Sequence, residues 1–161
     1  MIYVKKGDKM IEEKIKKLGF NLPGTPKPVA AYIPAIEINK LIFTAGQIPS
    51  VAGELMYKGK IGKELNIEQG QRAAEVCILN ALAAIKGITG DLDKIERIIK
   101  VTAFVNSADG FIEQPKVANG ASELLIKIFD EKGKHVRSAV GVNELPLKAA
   151  VEVEIICEVK S

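Results

Sequence analysis

Two residues in the final third of the chain carry most of the chemistry the sequence offers. Arg137 opens the apolar run Arg137-Ser138-Ala139-Val140-Gly141-Val142, and Glu152 sits in a second run, Val151-Glu152-Val153-Glu154. A surface arginine is ordinarily just solvated. One held between apolar elements can instead present its planar fork to a carboxylate, which is how small organic acids are clamped. Glu152 has two readings as well: an exposed strand carboxylate paired with a lysine, or an inward carboxylate on the strand neighbouring Arg137, able to orient a water molecule.

Other chemistries are narrowed by elimination. With His135 as the single histidine, no His pair is available for metal, and any Ser-His-Asp or Cys-His arrangement would have to use that one imidazole. Its place just before a strand reads as a solvated loop residue. Cys77 and Cys157 lie far apart inside apolar runs, with neither metal-ligand spacing nor a disulfide framework, and read as buried thiols. No P-loop is present, and Gly59 and Gly62 do not fit the dinucleotide fingerprint. No metal and no cofactor is expected.

The elements that must position Arg137 and Glu152 follow from periodicity. Ile11, Ile15 and Leu18 recur at helical spacing among charged residues, predicting a short helix over Met10 to Leu18 that Gly19 ends. Pro23, Pro26 and Pro28 make the following segment, through residue 28, an extended linker. Residues 33–46 read as a hairpin turning at Asn39-Lys40, and residues 53–60 as a short edge strand or loop. Helices are predicted over Ile67 to Lys86 and about Lys116 to Asp130, with strands over Ile98 to Val105, Arg137 to Val142 and Ala149 to Val159. The order β-β-(β)-α-β-α-β-β indicates an α+β layer fold, a mixed sheet with two long helices on one face. Glu152 and Glu154 share the opposite face with Ala150 and Ile156, so that face is expected to be partly buried against another subunit.

Length and composition bound the rest. A chain of 161 residues fits one domain, 29–161, preceded by the helix and Pro-rich linker of 1–28. Hydrophobic residues at 47% and charged residues at 27% match a globular protein rather than a disordered one. The balance of 23 basic against 20 acidic residues, with no Trp, argues against a nucleic-acid binder. Residues 1–13 never build the apolar region of a signal peptide, and the apolar stretch Val76 to Ile85 is far short of the roughly 20 residues a bilayer requires. A cytosolic location without a membrane segment is expected.

The segments Thr44-Ala45-Gly46-Gln47-Ile48-Pro49, Val101-Thr102-Ala103-Phe104-Val105 and Arg137 to Val142, through Leu145-Pro146 to Val151-Glu152-Val153-Glu154, resemble the RidA/YjgF family of reactive intermediate deaminases, also called the endoribonuclease L-PSP family. The resemblance covers roughly Val29 to Val159, so the N-terminal helix marks a longer variant. It implies a chorismate-mutase-like fold assembled as a homotrimer, with ligand sites in the clefts between subunits. It also implies hydrolytic deamination of enamines or imines, such as the 2-aminoacrylate that pyridoxal-phosphate-dependent dehydratases release, to 2-oxo acids and ammonia: a 2-iminobutanoate/2-iminopropanoate deaminase-like activity.

By the same resemblance Arg137 binds the substrate carboxylate and Glu152 helps hold the hydrolytic water. Tyr32 and Asn119 line the cleft, and Gly46 offers a backbone contact. Ala45 replaces a common Ser or Thr, and Ala139 replaces a common Cys. The alternatives are a trimer that senses a small carboxylate without turning it over and, with less support, a ribonuclease.

Overall fold

The computed structural model describes residues 9–27 and 31–161. Its centre is a five-stranded mixed sheet in the order β1-β2-β7-β5-β6, covered on one face by two long helices. Strands β1 (Ala35–Ile38) and β2 (Leu41–Thr44) form the expected hairpin. Asn39 and Lys40 turn it with φ of 48° and 66°, the left-handed pair of a type I′ turn. Two-residue strands β3 (Ser50–Val51) and β4 (Glu54–Leu55) pair only with each other. The segment read as an edge strand or loop is therefore half of a separate small hairpin.

Helix α2 (Ile67–Thr89) begins at a capping box, in which Asn66 accepts from the Gln69 amide while the Gln69 side chain accepts from that of Asn66. It runs three residues past the expected Lys86, to the left-handed Gly90. Its buried stripe includes Ala73, Cys77, Ala81 and Ala84, small residues that let it lie close to the sheet. Helix α3 (Gln114–Phe129) packs beside α2. Gly120 sits at their crossing, where a Cβ would run into the backbone carbonyl of Gln71.

Strand β5 (Ile95–Asn106) pairs antiparallel with β7 (Val151–Val159) and parallel with β6 (Val136–Val142), the crossover being α3. In β7 the side chains alternate strictly. Val151, Val153, Ile155, Cys157 and Val159 are buried under the helices, while Glu152, Glu154, Ile156 and Glu158 look the other way. Fully burying one such aliphatic side chain contributes about 1.5–3 kcal/mol, so this parity fixes which face each β7 carboxylate takes.

Helix α1 (Met10–Lys17) lies against α3, with Ile15 fully buried in the common core. Asp93 accepts from the first two amides of α1, and Lys86 of α2 pairs with Glu12 at 2.8 Å. Both cysteines are free and buried, as expected. Burial pushes the Cys77 thiol well up and that of Cys157 up to about 12, so neither is a thiolate near neutrality. Among the described residues, no helix is long and apolar enough to cross a membrane.

Candidate functional site

Arg137 lies on β6, the outermost strand on its side of the sheet. It registers with Val101, and Val101 with Ile155, so it shares the helix-covered face and its side chain reaches α3. Nη1 donates to Asn119 Oδ1 at 3.0 Å and to Ser122 Oγ at 3.1 Å, and Nη2 donates to the Pro115 carbonyl at 3.3 Å. Pro115, Asn119 and Ser122 are spaced four and three apart and so line one side of α3. All three acceptors are neutral, and no carboxylate pairs with Arg137 among the described residues. Three of the five guanidinium N–H groups are thus committed, leaving Nε–H and one hydrogen on Nη2. Ala139, two residues on, registers with Ala103 and packs partly buried on the same face.

Glu152 belongs to the opposite face. It registers with Phe104, which registers with Val140 on β6. Its carboxylate lies against Gly46, where a Cβ would collide with Oε1. Paired hydrogen bonds between Gln47 and Val153, 2.8 and 2.9 Å long, hold the Gly46-Gln47 segment against β7. Burial, and then the neighbouring charge of Glu154, push the Glu152 carboxyl above the usual carboxylate range. No lysine pairs with it among the described residues, which removes the exposed ion-pair reading. The Ala45 amide donates to the Pro34 carbonyl at 2.8 Å, and its own carbonyl accepts from the Gln47 side chain. Tyr32, 60% exposed, lines a pocket with Pro34, Gly46, Gln47 and Lys27.

The candidate residues therefore fall into two clusters rather than one. Arg137, Asn119 and Ala139 gather under α3 at the β6 edge, while Glu152, Gly46, Ala45 and Tyr32 gather around β7 and the segments flanking the first hairpin. The expectation that Glu152 is an inward carboxylate on the strand next to Arg137 is corrected. Strand β5 lies between β6 and β7, and the two side chains project from opposite faces. Two strand spacings and three residue levels put their backbones about 10 Å apart across the strands and about 10 Å apart along them.

His135 is also corrected. It is half-buried rather than solvated: Nδ1 is 2.6 Å from the Gly133 carbonyl and Nε2 is 2.9 Å from Ser122 Oγ. Burial first, then the charge of Arg137, lower its pKa below the usual histidine value. Sequence reasoning missed Ser122 altogether and gave His135 no role, although the spacing held a signal. Ser122 is one helical turn after Asn119, and His135 precedes Arg137 by two residues on the run into β6. Among the described residues, no group of three His, Cys, Asp or Glu side chains is placed to hold a metal.

Gly46 yields a direct prediction. Because a Cβ there meets the movable end of Glu152 rather than backbone, Gly46→Ala should displace the carboxylate with little loss of stability. Thermal unfolding should shift by no more than a few degrees, while any activity that depends on Glu152 falls about tenfold or more. Unchanged activity would show that the carboxylate has no set place to keep.

The comparisons with known proteins agree with this architecture. The family described as "YjgF/chorismate_mutase-like, putative endoribonuclease" matches residues 12–159. The chain is 36% identical to Protein TCP17 of Trypanosoma cruzi over 152 residues, 94% of this chain and 95% of that one. It is 27% identical over 135 residues to the 2-iminobutanoate/2-iminopropanoate deaminase of Dermatophagoides farinae, covering 83% of this chain and 90% of that protein. The crystal structure of protein Atu1372 from Agrobacterium tumefaciens, of unknown function, superimposes with a TM-score of 0.87 at 40% identity, covering 94% of this chain and 93% of that one. Matching motifs, a family match across almost the whole chain and a shared α+β fold lead to one assignment: the chain belongs to the RidA/YjgF family, with its chorismate-mutase-like fold.

Proposed function

We propose that the protein is a homotrimeric hydrolase that deaminates small imines carrying a carboxylate, with each site built from Arg137 of one subunit and Glu152 of the next. The observation that carries this reading is the split itself. Two groups suited to complementary parts of one reaction lie on opposite faces of a single chain's sheet, so only a second copy can bring them together. The uncovered sheet face supports such an assembly. Ile36, Phe43, Ile156, Lys100 and Val136 form a registered row across all five strands. Ile36 (46%), Phe43 (37%) and Val136 (66%) are exposed in the isolated chain, a patch that a lone subunit would leave in water. The deaminase named among the relatives supports the chemistry.

The reaction asks for positioning more than for a strong nucleophile. An enamine such as 2-aminoacrylate first takes a proton at C3 to become the protonated imine. The free edge of Arg137 holds the carboxylate and presents C2. Glu152 accepts a proton as water oxygen bonds to C2, giving a carbinolamine. It returns that proton to nitrogen as the C–N bond breaks, and the hydroxyl proton passes to the departing ammonia as the C=O bond forms, releasing ammonium and leaving the 2-oxo acid. A carboxyl raised above its ordinary pKa is better matched to both transfers.

A second reading, a trimer that binds oxo acids without turnover, draws on Ala45 and Ala139, which place neither hydroxyl nor thiol in the cleft. The deciding experiment generates 2-aminoacrylate with a pyridoxal-phosphate-dependent dehydratase and follows its decay with and without the protein. Accelerated decay supports the deaminase. Oxo-acid binding without acceleration supports the sensor.

A further inference from the structure

We propose that Ser122 and His135 are positioning residues for Arg137: the Gly133 carbonyl, His135 and Ser122 form a hydrogen-bonded chain whose polarity turns a hydroxyl lone pair onto the guanidinium and fixes which edge stays free. The inference rests on the reading that Arg137 binds a carboxylate, and it adds two residues that the family motifs do not contain.

The direction of each bond follows from the one before. The Gly133 carbonyl can only accept, so the 2.6 Å contact requires a hydrogen on His135 Nδ1. In the neutral imidazole Nε2 is then an acceptor, and at 2.9 Å it receives the single proton of the Ser122 hydroxyl. With that proton committed, Ser122 offers only lone pairs to Arg137 Nη1, 3.1 Å away. Asn119 Oδ1 takes the other Nη1 hydrogen and the Pro115 carbonyl takes one from Nη2. What remains is Nε–H together with one hydrogen on Nη2, donors spaced to match two carboxylate oxygens. The half-buried setting beside Arg137 keeps His135 neutral, the state the chain requires. The charged residues just before it in sequence are paired elsewhere: Glu131 with Lys134, and Lys132 with Glu96 of β5.

A purely structural clasp between α3 and β6 would use the same contacts, so the test must separate holding the fold from aiming the arginine. Pyruvate binding is measured by calorimetry for wild type, Ser122→Ala, Ser122→Thr, His135→Ala and His135→Gln, with thermal unfolding recorded alongside. Ser122→Ala and His135→Ala should weaken binding about three- to tenfold, the range for one ordinary hydrogen bond. Ser122→Thr keeps the hydroxyl and His135→Gln keeps an acceptor for it, so each should recover most of that loss. In turnover the losses should fall on KM rather than kcat, because the clamp acts before the chemical step. Since His135 is the only histidine, its 15N spectrum reads the tautomer without assignment and should show the neutral Nδ1–H form.

Alanine variants that bind like wild type, or losses that follow unfolding temperature without rescue by Thr and Gln, would overturn the inference while leaving the carboxylate reading intact. An Nε2–H tautomer would overturn it as well, since the serine would then accept from the ring. If wild type itself binds no oxo acid, the carboxylate reading has failed and this inference falls with it.

Discussion

Arg137→Ala is expected to weaken binding of pyruvate-like acids about tenfold or more, and to lower imine hydrolysis at least as far. A charge-assisted, two-point bond in a partly desolvated site contributes about 1.5–3 kcal/mol, and the three neutral acceptors around the guanidinium cannot substitute for it. Arg137→Lys should recover only part of the loss, because an ammonium keeps the charge but lacks the planar fork and cannot reach Pro115, Asn119 and Ser122 in the same geometry. Calorimetry with oxo acids and the dehydratase-coupled decay assay measure both quantities. Wild-type affinity and turnover in Arg137→Ala would remove this residue from the site under either the deaminase or the sensor reading.

Glu152→Gln should separate binding from chemistry. Loss of a positioned acid–base group lowers turnover by about 10²- to 10⁴-fold, while oxo-acid affinity, set at Arg137, stays within a few-fold of wild type. Turnover needs the carboxylate form, so activity should fall as pH drops through the raised Glu152 pKa. Stability moves the other way. A carboxyl whose folded-state pKa lies above its unfolded value favours folding most when protonated, and that contribution is lost as pH rises from the unfolded value through the folded one. At neutral pH the neutral amide should therefore raise the unfolding temperature slightly while removing activity. Unchanged turnover in Glu152→Gln would exclude it from the mechanism.

The parts of the molecule legible in sequence were those governed by local rules. The β7 alternation and the Asn39-Lys40 turn each depend on neighbours within a few residues, and both appear in the structure. The relation between Arg137 and Glu152 was not legible. Alternation gives a residue's parity within its own strand, whereas the face it shares with a residue on another strand depends on register and strand order. Here β7 inserts between β2 and β5, a non-local pairing that moves Glu152 two strands from Arg137 and turns it to the other face. His135 was misread for a similar reason: its partners come from α3 and from a 3₁₀ turn, and only tertiary packing brings Ser122 and Gly133 to the same ring.

The central claim, one site shared between two copies, is tested most directly by mixing two inactive variants. Arg137→Ala and Glu152→Gln subunits are unfolded together in equal amounts, refolded and assayed for 2-aminoacrylate decay beside each parent refolded alone. In a cyclic trimer with heterologous interfaces, half of the clefts draw an intact arginine and half of those an intact glutamate, so about a quarter of wild-type turnover should return. A mixture no more active than its parents would contradict the shared site.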